Sequence, residues 1–200
     1  MKEDYFRIMI GDLTKGQEKT SLVVIEDCAD CQGRGLLLSF ITSLSQRVDE
    51  VHVVCIDGKS RDIGSLVPAG NIKTYKAHKD LLNWDNSADF NVSVDIIKYM
   101  KEKNNFHGNK KIAVVIDSIS QLILYRSSTY TCQVIHRLAN TQCLGCEVEQ
   151  VVCLLHEDLH DHLPCSLVEH TASTVIRLKQ PRTDKYSYCC DISHKKISGK

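Results

Sequence analysis

Residues 22–39 read Leu-Val-Val-Ile-Glu-Asp-Cys-Ala-Asp-Cys-Gln-Gly-Arg-Gly-Leu-Leu-Leu-Ser, and they decide the fold. Leu22 to Ile25 is a short apolar run that reads as a buried strand. Glu26 to Gln32 is polar and reads as a loop. Gly33-Arg34-Gly35 then opens a leucine-rich helix. Strand, glycine-containing turn and helix N-terminus in that order is the layout of a phosphate-binding loop, because helix-terminal amides and dipole favour an anion. The side chains depart from the pattern G-x-x-x-x-G-K-[ST]. With Gly33 as the second glycine, Cys28 replaces the first, Arg34 replaces the lysine and Gly35 replaces the magnesium-binding hydroxyl. Asp27 and Asp30 add negative charge where phosphates would sit. A guanidinium is bulkier than an ammonium and does not replace it in a tight cradle.

The rest of the chain supplies the partners such a strand needs. Val51–Ile56 and Ile72–Tyr75 read as strands, Ile112–Ile116 as the strongest strand, and Val148–Leu155 as another. Leu36, Leu37, Phe40, Ile41 and Leu44 recur at three- and four-residue spacing, predicting a helix over 35–46. Further helices are predicted over Tyr5–Leu13, Asp89–Lys103, Ser118–Arg126 and Tyr130–Gln142. Asp57–Pro68 and Asp80–Asp85 read as loops. Ser173–Leu178 and Tyr186–Cys190 form a late strand pair with no helix between them, the sign of an antiparallel edge. Apolar strands alternating with amphipathic helices predict an α/β fold, mostly parallel, with helices on both faces.

Two hundred residues with 42% hydrophobic content suffice for one domain. The 25 basic and 25 acidic side chains cancel, which argues against a protein that chiefly coats nucleic acid. No N-terminal stretch resembles a signal peptide and no apolar run reaches the ~18 residues of a membrane span. The ten cysteines therefore read as reduced thiols of a cytosolic or nuclear protein. The pairs Cys28/Cys31 and Cys143/Cys146 have zinc-knuckle spacing, but they lie far apart and read as ordinary thiols.

Two further motifs carry chemistry. Asp117, at the end of Ile112–Ile116, stands where a Walker B carboxylate would hold magnesium. With the loop at 22–39 it predicts a RecA-like architecture with a degenerate nucleotide site formed by Cys28, Gly33, Arg34, Gly35 and Asp117. His156-Glu157-Asp158-Leu159-His160 satisfies H-E-x-x-H, in which His156 and His160 would hold zinc and Glu157 would activate water, provided the five residues are helical. The preceding Val151–Leu155 reads as strand, and Pro164 limits helix continuation, so a loop at the carboxyl end of a strand is the better reading. Arg177, Lys179, Arg182, Lys185, Lys195, Lys196 and Lys200 gather late in the chain as either a solvated face or an RNA-phosphate contact.

These stretches, with Asp80-Leu81-Leu82-Asn83-Trp84, Val115-Ile116-Asp117-Ser118-Ile119-Ser120 and Leu154–His160, resemble the family of Elongator complex protein 5, the fifth subunit of the Elongator tRNA-modification complex. The resemblance implies a RecA-like fold without working ATPase motifs and with no cofactor or catalytic residue. It implies partners as well: the fourth and sixth Elongator subunits in a heterohexameric ring, and the larger subunits including the catalytic one. The ring as a whole would bind tRNA whose wobble uridine is modified, in cytoplasm and nucleus and without a membrane. Two departures from the family stand out. Gly35 takes the place of a serine that relatives can keep. Residues 1–193 are expected to form the RecA-like domain, and 194–200 a C-terminal end shorter than the family's.

Overall fold

The computed structural model describes residues 10–57, 67, 70–78, 89–104, 106, 109–140, 144–180 and 189–195. The element that organises it is β1 (Leu22–Asp27), every residue of which is buried. A strand buried on both faces cannot alternate polar with apolar, which is why Leu-Val-Val-Ile reads as a continuous run. The remaining elements are α1 (Arg34–Ser45), β2 (Glu50–Cys55), β3 (Ile72–His78), β4 (Phe90–Asn91), α2 (Ile96–Lys103) and β5 (Lys111–Ile116). They continue with α3 (Ile119–Tyr125), α4 (Ser128–Ala139), β6 (Glu147–His156), a 3-10 turn (Glu157–Leu159), α5 (His162–Thr171), β7 (Thr174–Lys179) and β8 (Cys189–His194).

The sheet runs β4-β3-β2-β5-β6-β1-β7-β8. Neighbours are parallel up to β7, and β8 alone is antiparallel, on β7. β6 is thus inserted between β1, which feeds the loop, and β5, which ends at Asp117. That insertion is the RecA-like arrangement, and it brings the carboxyl ends of β1, β6 and β5 together at one edge.

Side-chain alternation divides the core into two layers. Val23 and Ile25 pack with Leu37, Phe40, Ile41 and Leu44 of α1. Leu22 and Val24 face the other way, with Ile97 and Met100 of α2, Leu122 of α3, Val134 and Leu138 of α4 and Val168 of α5. Each fully buried side chain of this size contributes about 1.5–3 kcal/mol of transfer free energy. Helices therefore cover both faces, as the sequence predicts.

Two expectations are corrected. The helix predicted over Asp89–Lys103 begins only at Ile96, because Asp95 accepts from the amides of Ile97 and Lys98 and so caps it there. Phe90 belongs instead to β4, paired with Ala77, and its ring stacks on Tyr99 with centroids 4.5 Å apart. Pro164 limits no helix; it sits in the first turn of α5, where a missing amide hydrogen costs nothing. Of the second late strand, Cys189 and Cys190 fall in β8, which runs on to His194, while Tyr186–Tyr188 lie outside the described residues. The loops at Asp57–Pro68 (apart from Asp57 and Val67) and Asp80–Asp85, residues 5–9 of the first predicted helix, and Cys143 also lie outside them.

Candidate functional site: a phosphate loop closed from within

β1 ends at Asp27, beside His156 at the end of β6 in the parallel register. The chain between β1 and α1 folds into a tight hairpin. Cys28 donates its amide to the Cys31 carbonyl at 3.4 Å, and Cys31 donates to the Cys28 carbonyl at 3.0 Å. The Ala29 amide donates to Asp158 Oδ2 at 3.0 Å. The Gly33 amide donates to Asp27 Oδ2 at 2.7 Å. These donors, which a phosphate loop would turn toward its ligand, are satisfied within the chain.

Asp27 is the centre of this arrangement. Its side chain is only 3% exposed, and α1 has no acidic residue in its first turn and no side-chain cap from Gly33. The Asp27 carboxylate therefore supplies both the hydrogen bond and the negative charge that the helix N-terminus favours. Its other oxygen, Oδ1, lies 2.6 Å from His156 Nδ1. This hydrogen bond, against opposing burial, holds the imidazole pKa above its ordinary value. Ser120 of α3 fixes the backbone of the same histidine, accepting from its amide at 2.8 Å and donating to its carbonyl at 3.4 Å.

Of the other predicted positions, Cys28, Arg34 and Asp117 line one cavity of about 300 Å3 at the carboxyl edge of the sheet, together with Asp27 and His156. Gly33 has φ −82° and ψ −4°, so conformational freedom is not its role. A Cβ there would stand 2.7 Å from Leu154 Cδ1 and 3.0 Å from Ile25 Cγ2, and glycine lets α1 settle on β1 and β6. Around Gly35 a Cβ would meet nothing within 4 Å. Asp117 Oδ1 accepts from the amides of Ile56 at 2.6 Å and Asp57 at 3.3 Å, tying the end of β2 to β5. Burial pushes the Cys31 thiol pKa up.

H-E-x-x-H takes no helical form. His156 closes a strand, Glu157–Leu159 is a 3-10 turn and His160 is extended at φ −134°, ψ 152°. The two imidazoles therefore do not share a helix face, and among the described residues no group of three metal-binding side chains comes together. Among the described residues, the late basic side chains Arg177, Lys179 and Lys195 are each engaged within the chain. Arg177 lies 2.8 Å from the buried Glu26 and hydrogen-bonds Glu169 at 2.7 Å. Lys179 pairs with Asp191, and Lys195 Nζ donates to the last carbonyls of α5 at His170 (2.6 Å) and Glu169 (3.2 Å). Arg182, Lys185, Lys196 and Lys200 lie outside the described residues.

Sequence reasoning missed Asp27 as the loop's internal anion, Asp158 as its second acceptor, and the Glu26–Arg177 pair. Both Glu26 oxygens lack a hydrogen bond of good geometry, so the Arg177 contact is ionic, and burial pushes the Glu26 carboxyl up to about 7 despite it. The contacts of Asp27 with His156, Asp158 with Ala29 and Glu26 with Arg177 each join residues more than a hundred positions apart, and the turn of Asp27 back onto Gly33 depends on the same folding, so no local pattern signals them.

Strand order and loop together define a RecA-like α/β protein whose phosphate loop is closed by its own carboxylate. Among solved structures, the flagellar accessory protein FlaH from Methanocaldococcus jannaschii superposes with a TM-score of 0.53 over 92% of this chain and 83% of its own, at 13% identity, a likeness of fold alone. The family model described as Elongator subunit Iki1 matches residues 9–191, and the chain belongs to that family. It is similar to Elongator complex protein 5 of Danio rerio, 24% identical over 90% of this chain and 60% of that protein. It is similar also to that of Rattus norvegicus, 26% identical over 78% of this chain and 52% of that protein. The chain thus spans between half and two thirds of these relatives' length.

Proposed function

We propose that this chain is a non-catalytic accessory subunit of the Elongator complex. In this reading it joins the fourth and sixth subunits in a heterohexameric RecA-like ring, in cytoplasm and nucleus. The ring supports modification of the tRNA wobble uridine by assembly and tRNA handling, and the larger subunits do the chemistry. Family membership supports the Elongator role. The observation that carries the non-catalytic part is the Asp27 carboxylate on the Gly33 amide at 2.7 Å. A nucleotide phosphate entering the loop would have to displace a buried, hydrogen-bonded carboxylate of its own sign, without the usual lysine or hydroxyl to offset that cost.

Two measurements test the reading. Titration calorimetry with ATP and magnesium to millimolar concentration is expected to show no binding to the isolated chain. Co-expression with the fourth and sixth subunits is expected to yield a complex of defined stoichiometry in native mass spectrometry. Nucleotide binding to the isolated chain at micromolar concentration, or a chain that remains apart from both subunits, would overturn it.

A further inference from the structure

Two thiols whose spacing alone marks them as ordinary side chains are brought face to face by the fold. Cys28 and Cys31 close the hairpin between β1 and α1 around the turn Ala29-Asp30, and each donates its amide to the other's carbonyl, at 3.4 and 3.0 Å. Residues paired in this way across antiparallel backbone turn their side chains to the same side, with Cα atoms about 5.5 Å apart. That is the common Cα spacing of a disulfide, and the Cβ atoms need approach by only about 1 Å more. Both side chains belong to one apolar layer, Cys31 inside it and Cys28 packed against it. Both are free thiols.

The surroundings of the two sulfurs divide their roles. Cys31 is 1% exposed, and burial, reinforced by the neighbouring Cys28, Asp27 and Asp30, pushes its thiol pKa up. A thiol held protonated is a poor nucleophile toward an oxidant from solution. Cys28 is half-buried and lines the cavity at the carboxyl edge, whose volume of about 300 Å3 has room for a molecule as small as hydrogen peroxide. One accessible thiol beside a second, enclosed one is the arrangement of an attacking and a resolving cysteine.

We propose that Cys28 and Cys31 form a redox-modification site, at which hydrogen peroxide entering the cavity closes a reversible disulfide across the hairpin. Cys28 attacks one peroxide oxygen as the thiolate, the O–O bond breaks, and the departing hydroxide takes up the proton that Cys28 released. The product is a sulfenic acid at Cys28. The Cys31 sulfur then attacks the Cys28 sulfur, the S–O bond breaks, and hydroxide leaves as water with the Cys31 proton. In all, two thiols give up two electrons and two hydrogens, and the peroxide becomes two waters. A disulfide that must draw its hairpin inward is open to reduction by thiol exchange. The bond would clasp the chain between the end of β1 and the start of α1, next to the Asp27–Gly33 hydrogen bond. The reaction belongs to the folded chain alone and does not depend on its assembly with other subunits.

The experiment exposes the full chain, first reduced, to hydrogen peroxide, then alkylates the remaining thiols and maps linkages by tandem mass spectrometry without reduction. A peptide carrying the Cys28–Cys31 bond, two hydrogens lighter than its reduced form and restored by dithiothreitol, is expected as the main product. With dimedone present, Cys31→Ser is expected to raise capture of the Cys28 sulfenic acid roughly tenfold over wild type, because no resolving thiol remains. Cys28→Ser is expected to slow oxidation of Cys31 by a similar factor, since the enclosed thiol then meets peroxide unaided. Circular dichroism checks that both variants fold, and if either does not, the wild-type linkage map decides alone. Oxidation in urea, where all ten cysteines compete, supplies the reference pattern and is expected to give mixed linkages. Cys28 and Cys31 both still open to alkylation after peroxide treatment of the folded chain would overturn the proposal. So would a bond from either to Cys189 in preference, a folded pattern no different from that in urea, or unchanged dimedone capture in a folded Cys31→Ser.

Discussion

Replacing Asp27 is the sharpest test of how the loop is held. In Asp27→Ala the Gly33 amide loses an acceptor at 2.7 Å and His156 loses a partner at 2.6 Å. Hydrogen bonds to a charged group contribute about 1.5–3 kcal/mol each, and a buried donor left unpaired costs about 1–3 kcal/mol. His156 is 23% exposed, so water replaces part of its bond and the lower end applies there. The expected loss is on the order of 3–4 kcal/mol. Asp27→Asn keeps the shape and one acceptor and is expected to cost about 1–2 kcal/mol. The pH dependence separates ionic from steric effects. The Asp27 hydrogen bond raises the His156 pKa above its ordinary 6.5. That contribution is therefore complete below the unfolded value and fades as pH rises through the higher folded one. Urea unfolding followed by far-ultraviolet circular dichroism at about pH 6 and about pH 9 should show the gap between wild type and Asp27→Asn narrowing at the higher pH. A gap that is zero at both pH values, or one that widens at the higher, would refute the account of a carboxylate stabilising the loop.

Three further outcomes are expected. Glu26→Gln should stabilise the protein above neutral pH, by up to an order of 3 kcal/mol, since a carboxyl raised from 4.5 to about 7 must otherwise ionise in the core. Its advantage should vanish near pH 5, and thermal unfolding across that range reads it. Gly33→Ala should destabilise by about 1–3 kcal/mol because its Cβ meets Leu154 and Ile25 at 2.7 and 3.0 Å, whereas Gly35→Ala, in open space, should gain about 0.5–1 kcal/mol of helix propensity. Denaturant midpoints of the pair give the comparison directly. Phe40→Ala, which empties a fully buried position between α1 and the sheet, should cost about 3–5 kcal/mol in the same assay.

The architecture was legible because burial on both faces leaves an unmistakable run such as Val-Val-Ile, and because α1 repeats its leucines at helical spacing. Local chemistry set the limits. The strand continues through Glu26 and Asp27, two acids that look like loop until Arg177 and His156 arrive from far along the chain. Phe90 falls on the helical period of Val94, Ile97 and Met100, yet Asp95 caps the helix after it and the ring serves a strand. α5 escaped detection because a proline near its start resembles a breaker. The degenerate positions of the loop were readable by comparison with the phosphate pattern. What fills the loop was not, since the occupant is the residue immediately before it, and only the folded chain turns Asp27 back onto Gly33.

That inward turn has a consequence for the domain. A phosphate loop that needs its ligand gains stability only in proportion to the ligand's concentration. Here the anion is covalently part of the chain, so its effective concentration never changes. The stabilisation that Asp27 gives the loop is thus the same at every ligand concentration, with no second component to bind or to lose.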